Sequence, residues 1–101
     1  MDKVKADIRI FKLINGDDVV AHLPAGDKQL PEKSPLLRIS KPLQIKYIPQ
    51  MTAMGIRDYI ALIKWVNYTP DKVVTIPKDK IMTITMASGD MSQSYMNLAK
   101  D

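Results

Sequence analysis

Apolar residues fall in short runs along this chain, and polar segments bearing proline or glycine separate them. The first run, over about 7–14, sets Ile8 and Ile10 on one face and Phe11 and Leu13 on the other. That change of phase predicts a bent or bulged strand. Asn15-Gly16 follows, a pair that tolerates positive φ, and Val19-Val20-Ala21-His22-Leu23 makes a second strand over about 18–24. The two read as a β-hairpin. Residues 24–35, PAGDKQLPEKSP, are a loop by composition and long for a small domain. Over 36–48, Leu37, Ile39, Leu43, Ile45 and Tyr47 alternate with Arg38, Ser40, Gln44 and Lys46. This period-two pattern predicts a long strand. Pro42 within it cannot donate to a ladder, so the strand should bulge or bend there.

The second half continues in the same manner. QMTAMGIRD (50–58) reads as a loop. The 59–68 run, YIALIKWVNY, is apolar on both faces, which predicts a strand covered on both sides. In so short a chain, one source of the second cover is another subunit. TPDK (69–72) is a turn, and 73–86 reads as two strand pieces about Pro77-Lys78-Asp79. Residues 90–99 predict a short helix with Asp90 as N-cap and Gln93 three residues on. Met91, Tyr95 and Leu98 share its apolar face. The order is all-β with one short C-terminal helix, a small and strongly bent five-stranded antiparallel barrel of SH3-like or OB-like class. It occupies 1–101 as a single domain.

Composition narrows the functions available. The chain is 46% hydrophobic, too apolar for a disordered tail. No apolar run approaches the roughly 18–20 residues of a membrane helix, and no signal-peptide stretch opens the sequence. Both point to a cytoplasmic protein. Cysteine is absent and histidine occurs once, His22. A thiolate metal site is thereby excluded, and His22 has no evident catalytic partner. No metal or other cofactor is expected, and the chain reads as a non-enzyme. The net charge of +4 is a mild bias, spread singly along the chain without a basic block.

The Asp17/Asp18 pair is the one arrangement that suggests acid–base chemistry. Adjacent side chains at a hairpin corner diverge, whereas paired carboxylates acting on one substrate converge from separate segments. The pair therefore reads as the polar corner of a turn.

Several of these segments resemble the Sm and Sm-like (LSm/Hfq) family. Its first motif is an apolar strand, a glycine, an apolar position and then a small residue. Leu13-Ile14, Gly16, Val19 and Ala21 stand in those places. Its second motif resembles Val74-Thr75-Ile76, the turn Pro77-Lys78-Asp79 and Lys80-Ile81-Met82-Thr83-Ile84. FKLINGDDVVAHL, KPLQIKYIP, WVNYTPDKVVTIPKDKI and SQSYMNL are closer still to small Sm-like proteins of tailed phages, notably cyanophages. The resemblance implies an Sm-like barrel assembled into a homo-oligomeric ring of about five to seven subunits, with strand edges paired between neighbours. It also implies single-stranded RNA as a partner, met at the pore or ring face. Three features differ from the family pattern. The 24–35 loop replaces a short loop carrying a base-holding Asp and Asn, Pro77-Lys78-Asp79 replaces an Arg-Gly turn, and the helix lies at the C-terminal end.

Candidate RNA contacts follow from that resemblance. Lys78, Asp79 and Lys80 form the turn expected at the pore, where ring repetition multiplies a modest charge. Lys28, Gln29 and Lys33 in the long loop are candidates for phosphate contacts. Tyr47, Tyr59, Trp65 and Tyr68 can stack on bases, although strand aromatics more often serve core or interface. Met51 and Met54 add apolar surface. Against the RNA reading stands a structural or adaptor ring that binds protein instead, and a third alternative is a monomeric SH3-like peptide-binding module.

Overall fold

A computed structural model describes residues 7–66 and 69–99. Six antiparallel strands and one helix make up the fold: β1 (Ile8–Leu13), β2 (Asp18–His22), β3 (Leu36–Thr52), β4 (Gly55–Lys64), β5 (Val73–Pro77), β6 (Ile81–Met86) and α1 (Gly89–Ala99). The sheet runs in the order β4-β3-β2-β1-β6, with β5 paired to the first part of β3. It bends around an apolar interior, and among the described residues its two ends, β4/β5 and β6, carry free edges.

The β1–β2 turn forms where Asn15-Gly16 predicted it. Gly16 sits at φ 96°, open to glycine and strained for any side chain. Asn15 Oδ1 accepts the Asp17 N–H at 2.9 Å, and the Leu13 N–H closes the turn on Asp17 O at 2.9 Å. Beyond it, β2 carries Val19, Val20 and Ala21, all with 0% exposure. Alternation sends Val19 and Ala21 into the barrel interior with Phe11, Leu13, Ile39 and Ile76. Val20 goes to the opposite face with Ile8, Ile45 and Tyr95. The sheet is thus buried on both sides at β2, by its own curvature on one and by α1 on the other.

The long strand β3 connects these two cores. In its first part Leu37 and Ile39 pack into the barrel interior; in its second, Leu43 and Ile45 pack under the helix. All four have odd numbers, so an unbroken strand would place them on one face. Between Ser40 and Leu43 the β2 pairing slips by one residue, and this bulge reverses the phase. Lys41 takes φ 51° and Pro42 is buried there. Proline's missing N–H locates the break at Pro42, while the unbroken alternation puts Leu37, Ile39, Leu43 and Ile45 on one face; the structure divides them between two cores.

Tyr95 of α1 holds the bulge. Its hydroxyl accepts the His22 N–H at 3.2 Å and lies 2.9 Å from both Ser40 O and Lys41 O, to which it donates. These are backbone groups on either side of the slipped register, so the phenol ties the bulge to the helix. Tyr95 is 2% exposed, the most deeply placed residue of the helix. The helix starts before the expected cap: Ser88 Oγ accepts the Met91 N–H at 3.1 Å, so Ser88 and not Asp90 is the N-cap. Asp90 falls in the first turn, favourable to the helix dipole. Leu98, expected on the buried face, is 60% exposed, and Ala99 takes its place against the core.

One further expectation needs correction. Residues 50–58 are not a loop. They complete a two-stranded ribbon in which β3 and β4 pair from Leu43↔Lys64 to Thr52↔Gly55, turning on Ala53 and Met54 alone. At the tip Thr52 donates its hydroxyl to Gly55 O at 2.7 Å. Of the apolar run that follows, Tyr59, Ile60 and Ile63 are exposed in the single chain. The 73–86 span divides at a 3-10 turn, Lys78–Lys80, into β5 and β6.

Removing the Tyr95 hydroxyl takes away its part-buried hydrogen bonds to the His22, Ser40 and Lys41 backbone. Tyr95→Phe is expected to lower unfolding free energy by roughly 1–3 kcal/mol, as measured by urea denaturation. Burial pushes the Tyr95 phenol above its ordinary value, with the His22 N–H pulling weakly the other way. Above about pH 10 the unfolded phenol therefore releases its proton first, and stability should fall as pH rises. This alkaline loss should be smaller in Tyr95→Phe, and an unchanged pH profile would refute it.

Candidate nucleic-acid interface

The turn between β5 and β6 is built by proline and by two local contacts. Pro77 ends β5, and Lys78-Asp79-Lys80 form one 3-10 turn. The Lys78 N–H donates to Pro35 O at 2.8 Å, and Lys78 Nζ donates to Glu32 O at 2.8 Å. The long loop 24–35 is thereby tied to the turn. Two groups of candidate residues, far apart in sequence, meet at one end of the barrel. Lys80 and Asp79 are exposed on the turn, while Lys78 is half-buried against the loop.

Inside the loop the candidates part company. Lys28 and Lys33 are exposed. Gln29 points inward: its amide donates to Pro24 O at 2.9 Å and Arg38 O at 3.0 Å, and its carbonyl accepts the Leu30 and Arg38 N–H groups. All of its polar capacity serves to fold the loop onto the start of β3. The Arg38 guanidinium donates to Lys28 O at 3.1 Å and adds a third cation beside the loop. Sequence reading missed Arg38 because it lies on the polar side of a strand, the ordinary place for a solvated arginine.

On the other flank of the turn lies the aspartate pair. The two carboxylates diverge. Asp18 pairs with Lys12 across the hairpin at 2.9 Å, the lysine exposed and the carboxylate half-buried. Asp17 Oδ2 accepts Trp65 Nε1–H at 3.2 Å and Asn15 Nδ2–H at 3.3 Å, and its Oδ1 accepts from Gln44 Nε2 at 3.1 Å. Asp17 is therefore a clamp that joins the β1–β2 turn to β3 and to the end of β4. One signal could have announced it. A tryptophan at a strand end needs an acceptor for its N–H when half-buried, and a hairpin aspartate with no basic neighbour supplies one.

The remaining candidates are placed as follows. Ala21 and Gly16 occupy the tight positions described above. Tyr47 and Tyr59 stand exposed on the ribbon, and Trp65 packs against the interior cluster. Tyr68 lies outside the described residues. His22 is half-buried beside an open groove that Asp27, Arg38 and Asp71 also line. Among the described residues, no three His, Cys, Asp or Glu side chains are grouped to hold a metal ion. No helix among them is long and apolar enough to cross a membrane.

The fold, a strongly bent antiparallel sheet with one short helix and a basic turn between its last two strands, is met by a family profile. The Sm_like domain matches residues 10–96. The chain belongs to the Sm-like family. Sm-like proteins typically form homo-oligomeric rings, bind RNA and are generally non-enzymatic. A search of curated proteins finds no match. In this Sm-like chain the matched span takes in both motif turns, the long loop and most of the helix.

The clamp makes a prediction that separates the two aspartates. Asp17→Ala strands the Trp65 and Gln44 donors and should cost roughly 1–3 kcal/mol, with a red shift of Trp65 emission on exposure. Asp18→Ala removes only a solvated ion pair and should change neither quantity noticeably. Denaturation followed by tryptophan fluorescence measures both, and equal effects of the two variants would contradict the assignment.

Proposed function

We propose that this Sm-like chain assembles into a closed homo-oligomeric ring of about five to seven subunits and binds single-stranded RNA. The contact surface is the junction of the Lys78–Lys80 turn with the 24–35 loop. The observation that carries the reading is that junction, where Lys78 ties the loop to the turn and leaves Lys28, Lys33, Lys80 and Arg38 about one end of the barrel. Phosphates are met by cations that recur once per subunit, so a weak charge on one chain becomes a ring of charge.

Assembly is supported by the free edges. Among the described residues β6 pairs only with β1, and β5 only with β3. The exposed Met82, Ile84 and Met86 of β6 lie on the face of Phe11 and so extend the interior core to the outside. An edge with both unpaired backbone and apolar side chains is unstable alone in water. Joining β6 of one copy to β5 of the next is head-to-tail, and head-to-tail contacts close into rings. The likeness to tailed-phage proteins fits a phage-encoded RNA-binding ring working in the host cytoplasm.

The β3–β4 ribbon favours a second reading, an adaptor ring that binds protein. The cross-strand pairs Tyr47↔Ile60 and Met51↔Ile56 place four exposed apolar side chains on one face. Such a face suits a protein partner better than a phosphate backbone.

Light scattering at micromolar concentration should give a mass of about five to seven chains; a monomer would sink the ring. Oligo-U or oligo-A binding should weaken linearly in log–log form as salt rises. Lys78→Ala with Lys80→Ala should lower affinity and flatten that slope, by roughly one unit for each phosphate no longer neutralised. Absence of binding at low salt would favour the adaptor.

A further inference from the structure

The Asp17 clamp leaves a cleft on the side of the basic turn away from the long loop. It measures about 210 Å³ and is lined by Ile14, Asn15, Trp65, Ile76, Pro77 and Lys80. Its position is fixed by backbone, because the Ile14 N–H donates to Lys80 O at 2.9 Å and so locks the β1–β2 turn to the start of β6. Its walls are apolar and include one indole. Its polar groups are few. Asn15 gives one amide hydrogen to Asp17 and keeps the other. The exposed Lys80 ammonium stands at the edge and has no partner among the described residues.

We propose that this cleft holds one unpaired base of a bound RNA strand, laid against Trp65, with its flanking phosphate on Lys80. The inference rests on the RNA-binding reading above and adds to it a base subsite between the hairpin turn and the basic turn, apart from the 24–35 loop. Three properties favour a base over an aliphatic side chain. The indole N–H is bound to Asp17, so the ring is held in one orientation before anything enters. Stacking on a fixed ring loses little further freedom on binding. The Asn15 amide can address a base edge, and a cation stands where a phosphate would emerge. Asp17 stays negative but spends both carboxylate oxygens on the Asn15, Gln44 and Trp65 donors, and Lys80 is the charged residue of the cleft lining.

Trp65 is the only tryptophan in the chain, so its fluorescence reports on this cleft directly. Oligo-U and oligo-A should quench it on titration, while an abasic oligomer of equal length should bind more weakly and leave emission unchanged. Trp65→Ala should weaken oligo-U and oligo-A about five- to hundredfold and barely affect the abasic oligomer. Trp65→Phe, which keeps a ring but loses the N–H that Asp17 holds, should bind between Trp65→Ala and wild type. Light scattering on each variant controls for assembly. Binding of oligo-U or oligo-A with undisturbed tryptophan emission would overturn the cleft and leave RNA binding by the ring standing. Equal quenching by the abasic oligomer, or loss of the ring in Trp65→Ala, would also overturn it, the latter marking the cleft as a subunit contact. Failure of the wild-type protein to bind any oligomer at low salt would sink both readings together.

Discussion

One phenolic oxygen holds this fold at the point where it could most easily come apart. A strand of 17 residues has to serve two cores on opposite faces of one sheet. It can do so only by inserting a residue, and insertion breaks the ladder. Lys41 and Pro42 supply the break: one adopts positive φ and the other brings no N–H to be stranded. The break lies beside His22 N–H and the Ser40 and Lys41 carbonyls. Tyr95 meets all three from a helix more than fifty residues further along. The helix therefore does more than shield Ile8, Val20 and Ile45; it fixes the register on which the barrel interior and the ribbon both depend.

The functional end of the barrel follows the same logic of few, well-placed polar groups. The Lys78–Lys80 turn sits between two structures that each stabilise themselves. On one side Gln29 folds the 24–35 loop through four hydrogen bonds. On the other Asp17 gathers Asn15, Gln44 and Trp65. Neither uses a charge pair. Lys80 is consequently left to face outward, whereas the Lys78 ammonium is spent on Glu32 O and the Arg38 guanidinium on Lys28 O. The surface thus combines cations that help fold the loop with one that the local fold does not use.

Much of this is legible in the sequence, and the failures have physical causes. Alternation reveals the hairpin and the long third strand, because half-buried strands impose period two; the break at Pro42 is read from its missing N–H, and the change of face there is invisible to the alternation. Gly16 and the Pro77 turn are readable from backbone chemistry. The 50–58 segment misleads because its Gly and Met residues have weak strand propensity, while a ribbon needs only cross-strand pairing and a capped tip to continue. The spacing of a capping box points to Asp90, yet Ser88 satisfies the Met91 N–H from the preceding turn. A periodic helix face places Leu98 inside, but it is Ala99 that packs against the core beneath α1. The site is half legible. Lysines at a turn can be seen; that Gln29 and Asp17 turn inward depends on partners 9 to 48 residues away.

The ribbon's two-residue tip gives the chain an unusual degree of freedom. Everything that fixes the body, the two cores, the bulge and the helix contact, ends by about Ile45 and Leu62. Residue pairs added or removed between Met51 and Ile56 would move the tip by about 3.4 Å each without touching that body. The arm is in effect an adjustable spacer. Its length can drift, or be engineered, independently of the domain that bears it, and every copy of the chain in an assembly would hold its tip at the same height. A peptide inserted between Ala53 and Met54 would be displayed at a fixed radius, as many times as there are subunits.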